Sequence, residues 1–129
     1  MRRRLFRIEN QSRGSVLGER VRRADTPWSR AIGLLGRGSL APGGGLVLVP
    51  CNSVHMLFMR FAIDVLYVDK QDRVVKPVRN LKPFRVSGCL RGAHYTVELP
   101  AGTIDASGTE PGDQLVIVPV EATAAVPVA

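Results

Sequence analysis

Apolar residues in this chain come in short runs and never in long ones. The most hydrophobic region, Leu46 to Val68, is cut by Pro50, Asn52, Arg60 and Asp64, and elsewhere Gly, Pro, Asn and Asp interrupt each apolar patch. Runs of this length suit strands and fall well short of the roughly 18–20 apolar residues that cross a bilayer. Leu5, Phe6 and Ile8, the polar turn Asn10–Gly14, and then Val16, Leu17 and Val21 predict an opening hairpin. Leu46-Val-Leu-Val-Pro50 lacks alternation, as a strand buried on both faces does. Val65–Val68, the turn Asp69–Asp72 and the stretch Arg73–Arg79 predict a second hairpin. Lys82-Pro83 and Ser87-Gly88 mark a loop, while His94–Leu99 and Gln114–Val118 read as further strands separated by Pro100-Ala-Gly102 and Glu110-Pro-Gly-Asp113.

One segment departs from this pattern. Asp25-Thr-Pro27 offers a capping side chain ahead of a first-turn proline, and Trp28, Ala31, Ile32, Leu34 and Leu35 then recur at near-helical spacing, so a helix is expected at about 26–36. Seven or eight short strands and one short α-helix give a mainly β fold: a small sandwich or partly closed barrel of mostly antiparallel strands. The 129 residues amount to one domain, with a core at about 15–118, a basic N-terminal strand region at 1–14 and a flexible tail at 121–129.

The formal charge of +7 raises the question of a polyanion partner, and its distribution answers it. Residues 1–30 hold nine arginines against Glu9, Glu19 and Asp25, whereas the remainder is almost balanced; Arg60–Arg91 is a second basic stretch, balanced by acids further on. These bases are spaced as on the wet side of strands, and aromatics for base stacking are few, so solvated strand faces explain them better than a nucleic-acid interface. Association through the N-terminal arginines is the lesser reading. Met1-Arg-Arg-Arg4 runs into Leu5-Phe-Arg-Ile-Glu-Asn10 without the apolar core of an export signal, and two cysteines, Cys51 and Cys89, are too few for a disulfide framework. A cytoplasmic protein with reduced thiols is expected.

Chemistry-bearing side chains concentrate in Cys51–Asp64. Cys51, His55 and Met59 would share a face on a helix and form a soft metal set, but the flanks favour an extended chain, where Met59 fills core space. No metal or other cofactor is expected. Cys51 lacks a nucleophile's setting and reads as an unreactive, buried thiol. Arg60 and Asp64 are charges set among apolar residues; burial requires that they pair with each other or meet a ligand. Gly36-Arg37-Gly38 is too short for a phosphate loop and reads as a helix end.

The order of Arg30–Arg37, Ser53–Asp69, Tyr95–Gly102 and Pro111-Gly-Asp113 resembles the prokaryotic DUF192 family over about residues 15–118. Phe58-Met59-Arg60-Phe61-Ala62-Ile63-Asp64 matches its central pattern, with Ala62 where a proline is frequent. The resemblance implies a small, mainly β domain of unknown function, with no established activity or cofactor; some relatives carry a membrane or export segment, and some are found beside pilus or secretion genes. Together with the residues, it leads to a non-enzymatic binding or accessory domain that holds a protein segment or small anionic ligand in a cleft near Arg37, His55, Arg60 and Asp64. The rival is a small hydrolase or transferase with His55 as general base and Asp64 orienting it.

Overall fold

The structure, a computed structural model, describes residues 4–26, 38–56, 59–89 and 91–120. These form nine strands: β1 (Leu5–Asn10), β2 (Ser15–Ala24), β3 (Gly44–Leu48), β4 (Ser53–His55), β5 (Ile63–Val68), β6 (Val74–Leu81), β7 (Val86–Gly88), β8 (Tyr95–Pro100) and β9 (Leu115–Val120). One described helix, α1 (Thr103–Ser107), lies between β8 and β9. The helix predicted at 26–36 falls outside the described residues, as does the tail 121–129.

Seven strands form one mixed sheet in the order β6-β5-β8-β3-β2-β1-β9, and β4 pairs with β7 in a separate two-stranded ribbon. All neighbours are antiparallel except β2 and β3. Both predicted hairpins are present, their turns using left-handed backbone at Gly14 (φ 67°) and Asp72 (φ 64°). The sheet does not close into a barrel, yet it curls. Its two edge strands meet at the Arg73–Gln114 bridge, and Val74 N–H donates to the Asp113 carbonyl while Leu115 N–H donates to that of Asp72. The stretch read as a loop at 87–88 is instead β7, whose pairing with β4 no local pattern announces.

Each face of the sheet carries its own core. Ile8, Val21, Val47, Leu66, Val68, Tyr95, Val97 and Leu99 pack inside the curl, with Leu115 of β9 and Ile104 of α1 closing it. On the other face Leu46, Leu48, Ile63, Val65 and Tyr67 lie under Val54 of β4 and under Met56 and Met59. Strand β5 is buried at all six positions because both faces are covered, which is why its sequence shows no polar alternation. Gly45 permits the close contact of β3 with β8: a Cβ there would lie 2.7 Å from the Glu98 carbonyl oxygen.

Candidate functional site

Two regions present chemistry, one on each side of the sheet. The first is the Cys51–Asp64 cluster. The described residues 51–56 are not helical, and the Cys51 thiol, half-buried, donates to the Ser53 carbonyl at 3.0 Å. Met59 is buried in the core, as its extended setting predicts. His55 on β4 and Arg60 after it are both exposed, and Arg37 lies outside the described residues.

Asp64 behaves differently from the expectation that Arg60 would pair with it. Its side chain is 1% exposed and accepts three backbone N–H groups: Asn80 at 2.9 Å on Oδ1, and Gly102 at 3.1 Å and Ile104 at 2.8 Å on Oδ2. The Ile104 and Gly102 amides open α1, whose own N-cap is a glycine with no side chain to offer, so a strand carboxylate serves as the cap. Asn80 sits in the β5–β6 register shift with φ 52°, and the same carboxylate pins that irregularity. No ion pair joins Arg60 to Asp64 among the described residues, because backbone amides already satisfy the buried charge. The same commitment leaves Asp64 unsuited to orient His55, which removes the carboxylate partner from the predicted general base.

What does gather around His55 is an exposed surface. His55 pairs across the ribbon with Val86, which is 73% exposed, and Phe84 in the preceding turn is 64% exposed and held at φ 66°. Left-handed backbone is costly for a phenylalanine, and such strain concentrates at functional positions. Met56 locks this turn, donating its N–H to the Arg85 carbonyl and accepting from the Phe84 N–H. Lys82 and Arg85 belong to the same stretch and Arg60 follows Met59, whose N–H donates to the Met56 carbonyl; all three bases are exposed, and residues 82–97 contain no acid.

The second region lies at one mouth of the curled sheet. A cavity of about 310 Å³ opens there, walled by Phe6, Val47, Val49, Ile117 and Pro119, with Arg23, Asp72, His94 and Tyr95 as its polar groups. The Tyr95 hydroxyl donates to Asp72 Oδ1 at 2.8 Å, and burial together with that bond pushes the phenol far above its usual range. The His94 ring stands edge-on to Tyr95. Sequence reasoning missed this cavity because its lining comes from five separate strands and three connecting segments.

A third constellation is structural. Asn10, fully buried, donates to Thr109 Oγ1 and Asp113 Oδ2, each at 3.0 Å, while Arg13 Nε donates to Asp113 Oδ2 at 2.9 Å. Burial alone would raise the Asp113 carboxyl, but these bonds and the Glu110 N–H outweigh it and hold the group down at about 2. Arg13 also pairs with Glu110, Arg7 with Glu9, and Arg23 with Asp25, so several of the N-terminal arginines face carboxylates of this chain.

A small, mainly β protein built on one curled, mixed sheet defines the class. Residues 8–117 match the model of the DUF192 family, described as "Uncharacterized ACR", and the chain belongs to that family. A UPF0127 protein of Pyrococcus furiosus is 39% identical over 112 residues, covering 82% of this chain and 93% of the relative. Another from Thermococcus sibiricus is 35% identical over 114 residues, covering 82% and 71%. Among solved structures, a Sinorhizobium meliloti protein provisionally described as a transcription regulator superposes with TM-score 0.77 at 24% identity, over 89% of this chain and 93% of that one. A Novosphingobium aromaticivorans protein of unknown function gives 0.74 at 22%, over 87% and 83%. At such identities the two structures establish the shared fold and nothing about activity. No helix among the described residues is long and apolar enough to cross a membrane.

Proposed function

We propose that the chain acts as a single, non-enzymatic binding domain that docks an acidic, partly apolar protein segment on the β4–β7 ribbon, with His55 and Arg60 in the contact. The observation that carries this reading is the combination of Phe84 and Val86, large and mostly exposed apolar side chains, with the exposed bases Lys82 and Arg85 in the same stretch, the exposed Arg60 following Met59, whose backbone meets that of Met56 beside this turn, and no acid between residues 82 and 97. Apolar contact supplies affinity at such a surface, and an unbalanced cationic rim selects an anionic partner and speeds its encounter. The ribbon is held firmly enough to present that surface: Tyr67 on β5 donates its hydroxyl to Ser87 Oγ at 3.1 Å, and Lys76 Nζ donates to the Gly88 carbonyl at 2.9 Å.

Selection of a displayed random-peptide library on the full chain tests this. Enriched peptides should combine Asp or Glu with aromatic or aliphatic residues, and Arg60→Glu with Val86→Asp should abolish their binding while leaving thermal unfolding unchanged. Enrichment indifferent to both substitutions would overturn the proposal, and enrichment of no acidic class would do the same.

A further inference from the structure

Strand β7 carries a sheet edge that the rest of the fold leaves open. Cys89 N–H donates to the Asn52 carbonyl and Met56 N–H to that of Arg85, so both of these pairs are hydrogen-bonded across the ribbon, and by alternation so is Val54–Ser87. The pairs between them, Ser53–Gly88 and His55–Val86, therefore direct their backbone groups away from the partner strand. On β7 this sets Val86 N–H, Val86 C=O and Gly88 N–H along the outer edge, with no partner among the described residues. The edge lies on the β6 side of the ribbon, because Lys76 of β6 reaches it with Nζ on the Gly88 carbonyl, and β6 is itself the last strand of the main sheet.

The main sheet treats its own edges differently. On β6, Asp113 and Gly112 take up the N–H and C=O of Val74, and Pro77 interrupts the strand; on β9, Asp72 takes up Leu115 N–H, and Pro119 interrupts. Such devices keep an edge strand from pairing with another chain. Strand β7 has no proline and no charge, and its Val86 is 73% exposed. Ser87 turns inward, where its Oγ accepts from the Tyr67 hydroxyl, so Val86 lies on the outer face of the ribbon beside its partner His55. Cations stand at both ends of the edge, Arg85 ahead of Val86 and the Lys76 ammonium at Gly88. We infer that the acidic, partly apolar segment docks in extended form on this edge, pairing with Val86 and Gly88 as a third strand of the ribbon. Its apolar side chains then lie beside Val86, and the carboxylates at alternate positions turn towards Lys76. Backbone pairing supplies affinity in such a mode, and the side chains of alternate residues supply selectivity. The inference rests on the ribbon as docking surface and adds the partner's conformation and sequence period.

The test uses an acetylated, amidated heptapeptide of alternating glutamate and valine, titrated into the full chain with amide hydrogen exchange followed by NMR. At saturation, exchange at Val86 and Gly88 should slow by about tenfold or more, while Ser53 and His55, which face the opposite edge, keep their rates. Two further peptides, N-methylated on all valines or on all glutamates, separate backbone pairing from side-chain contact. Every second amide of an added strand faces its neighbour, so one methylated set should weaken binding by about tenfold or more and the other should not. Equal effects of the two sets would overturn strand addition. Peptide-induced shifts on the ribbon with unchanged exchange at Val86 and Gly88, or with protection at Ser53 and His55 in their place, would also overturn it and leave the ribbon standing as a docking surface. Absence of binding by the heptapeptide would overturn strand addition, and absence of any enriched library peptide would overturn the ribbon reading with it.

Discussion

At the scale of single residues, three buried acids show how environment decides what a carboxylate does. Asp64 caps a helix and pins a bulge through backbone amides, so Asp64→Ala leaves three donors without their acceptor. The expected cost is about 2–4 kcal/mol in urea unfolding, and a loss below about 1 kcal/mol would contradict the anchoring role. Asp113 sits at about 2 in the folded chain against about 3.9 when unfolded, a depressed carboxylate whose contribution is complete above about pH 4. Stability should therefore fall as pH drops from about 4 towards 2, and Asp113→Asn should flatten that part of the curve. Glu98 runs the other way. At 7% exposure, with Leu46 and Val65 directly across on its two neighbouring strands, burial pushes its carboxyl up to about 7. Between its unfolded and folded values the folded chain holds a proton that the unfolded chain has lost, so Glu98 reduces stability progressively from about pH 4.5 to about 7, above which the penalty is constant. Glu98→Gln should raise the melting temperature at pH 8 and leave it nearly unchanged at pH 4.

At the scale of elements, the ribbon and the sheet differ in what they tolerate. The ribbon's strands have three residues each, and its exposed Phe84 and Val86 contribute little to burial. Arg60→Glu should consequently shift stability by no more than about 0.5 kcal/mol while eliminating peptide capture. Strand β3 is the opposite case. Gly45→Ala places a methyl within 2.7 Å of the Glu98 carbonyl, forces β3 away from β8 and should cost about 1–3 kcal/mol, measured by urea unfolding. The hairpins β1–β2 and β5–β6 were legible from turn residues between apolar patches, since their pairing is local. The β4–β7 pairing joins segments over thirty residues apart, and α1 is a five-residue helix capped from another element; neither leaves a local mark.

For the whole molecule, the sheet order places β5, β8, β3 and β2 in the interior of the sheet, and β2, β3 and β5 supply side chains to both cores. If the chain is one cooperative domain, the slowest-exchanging amides should lie in these strands and exchange through global unfolding, with probes in either core reporting a single urea transition. Separate transitions for the two faces would show independent units. The cavity at the mouth is a product of the curl alone: Phe6, Arg23, Val47, Asp72 and Ile117 are scattered through the chain and converge only when the edge strands approach each other.

Local pattern by itself determined the hairpins, most strands of the main sheet and the mainly β class, because alternation, turn chemistry and short apolar runs act between near neighbours. It also marked Asp64 as a charge that had to be satisfied, since a buried carboxylate must find donors wherever they are. Which donors it finds was decided by the tertiary structure, and so was the fate of Arg60, left in solvent once backbone amides had taken Asp64. Arg23 reads in sequence as one basic residue among nine near the N-terminus. Only the curl of the sheet sets it at the rim of the cavity, half exposed, because what a strand residue faces depends on how the strands wrap and not on its neighbours in the chain.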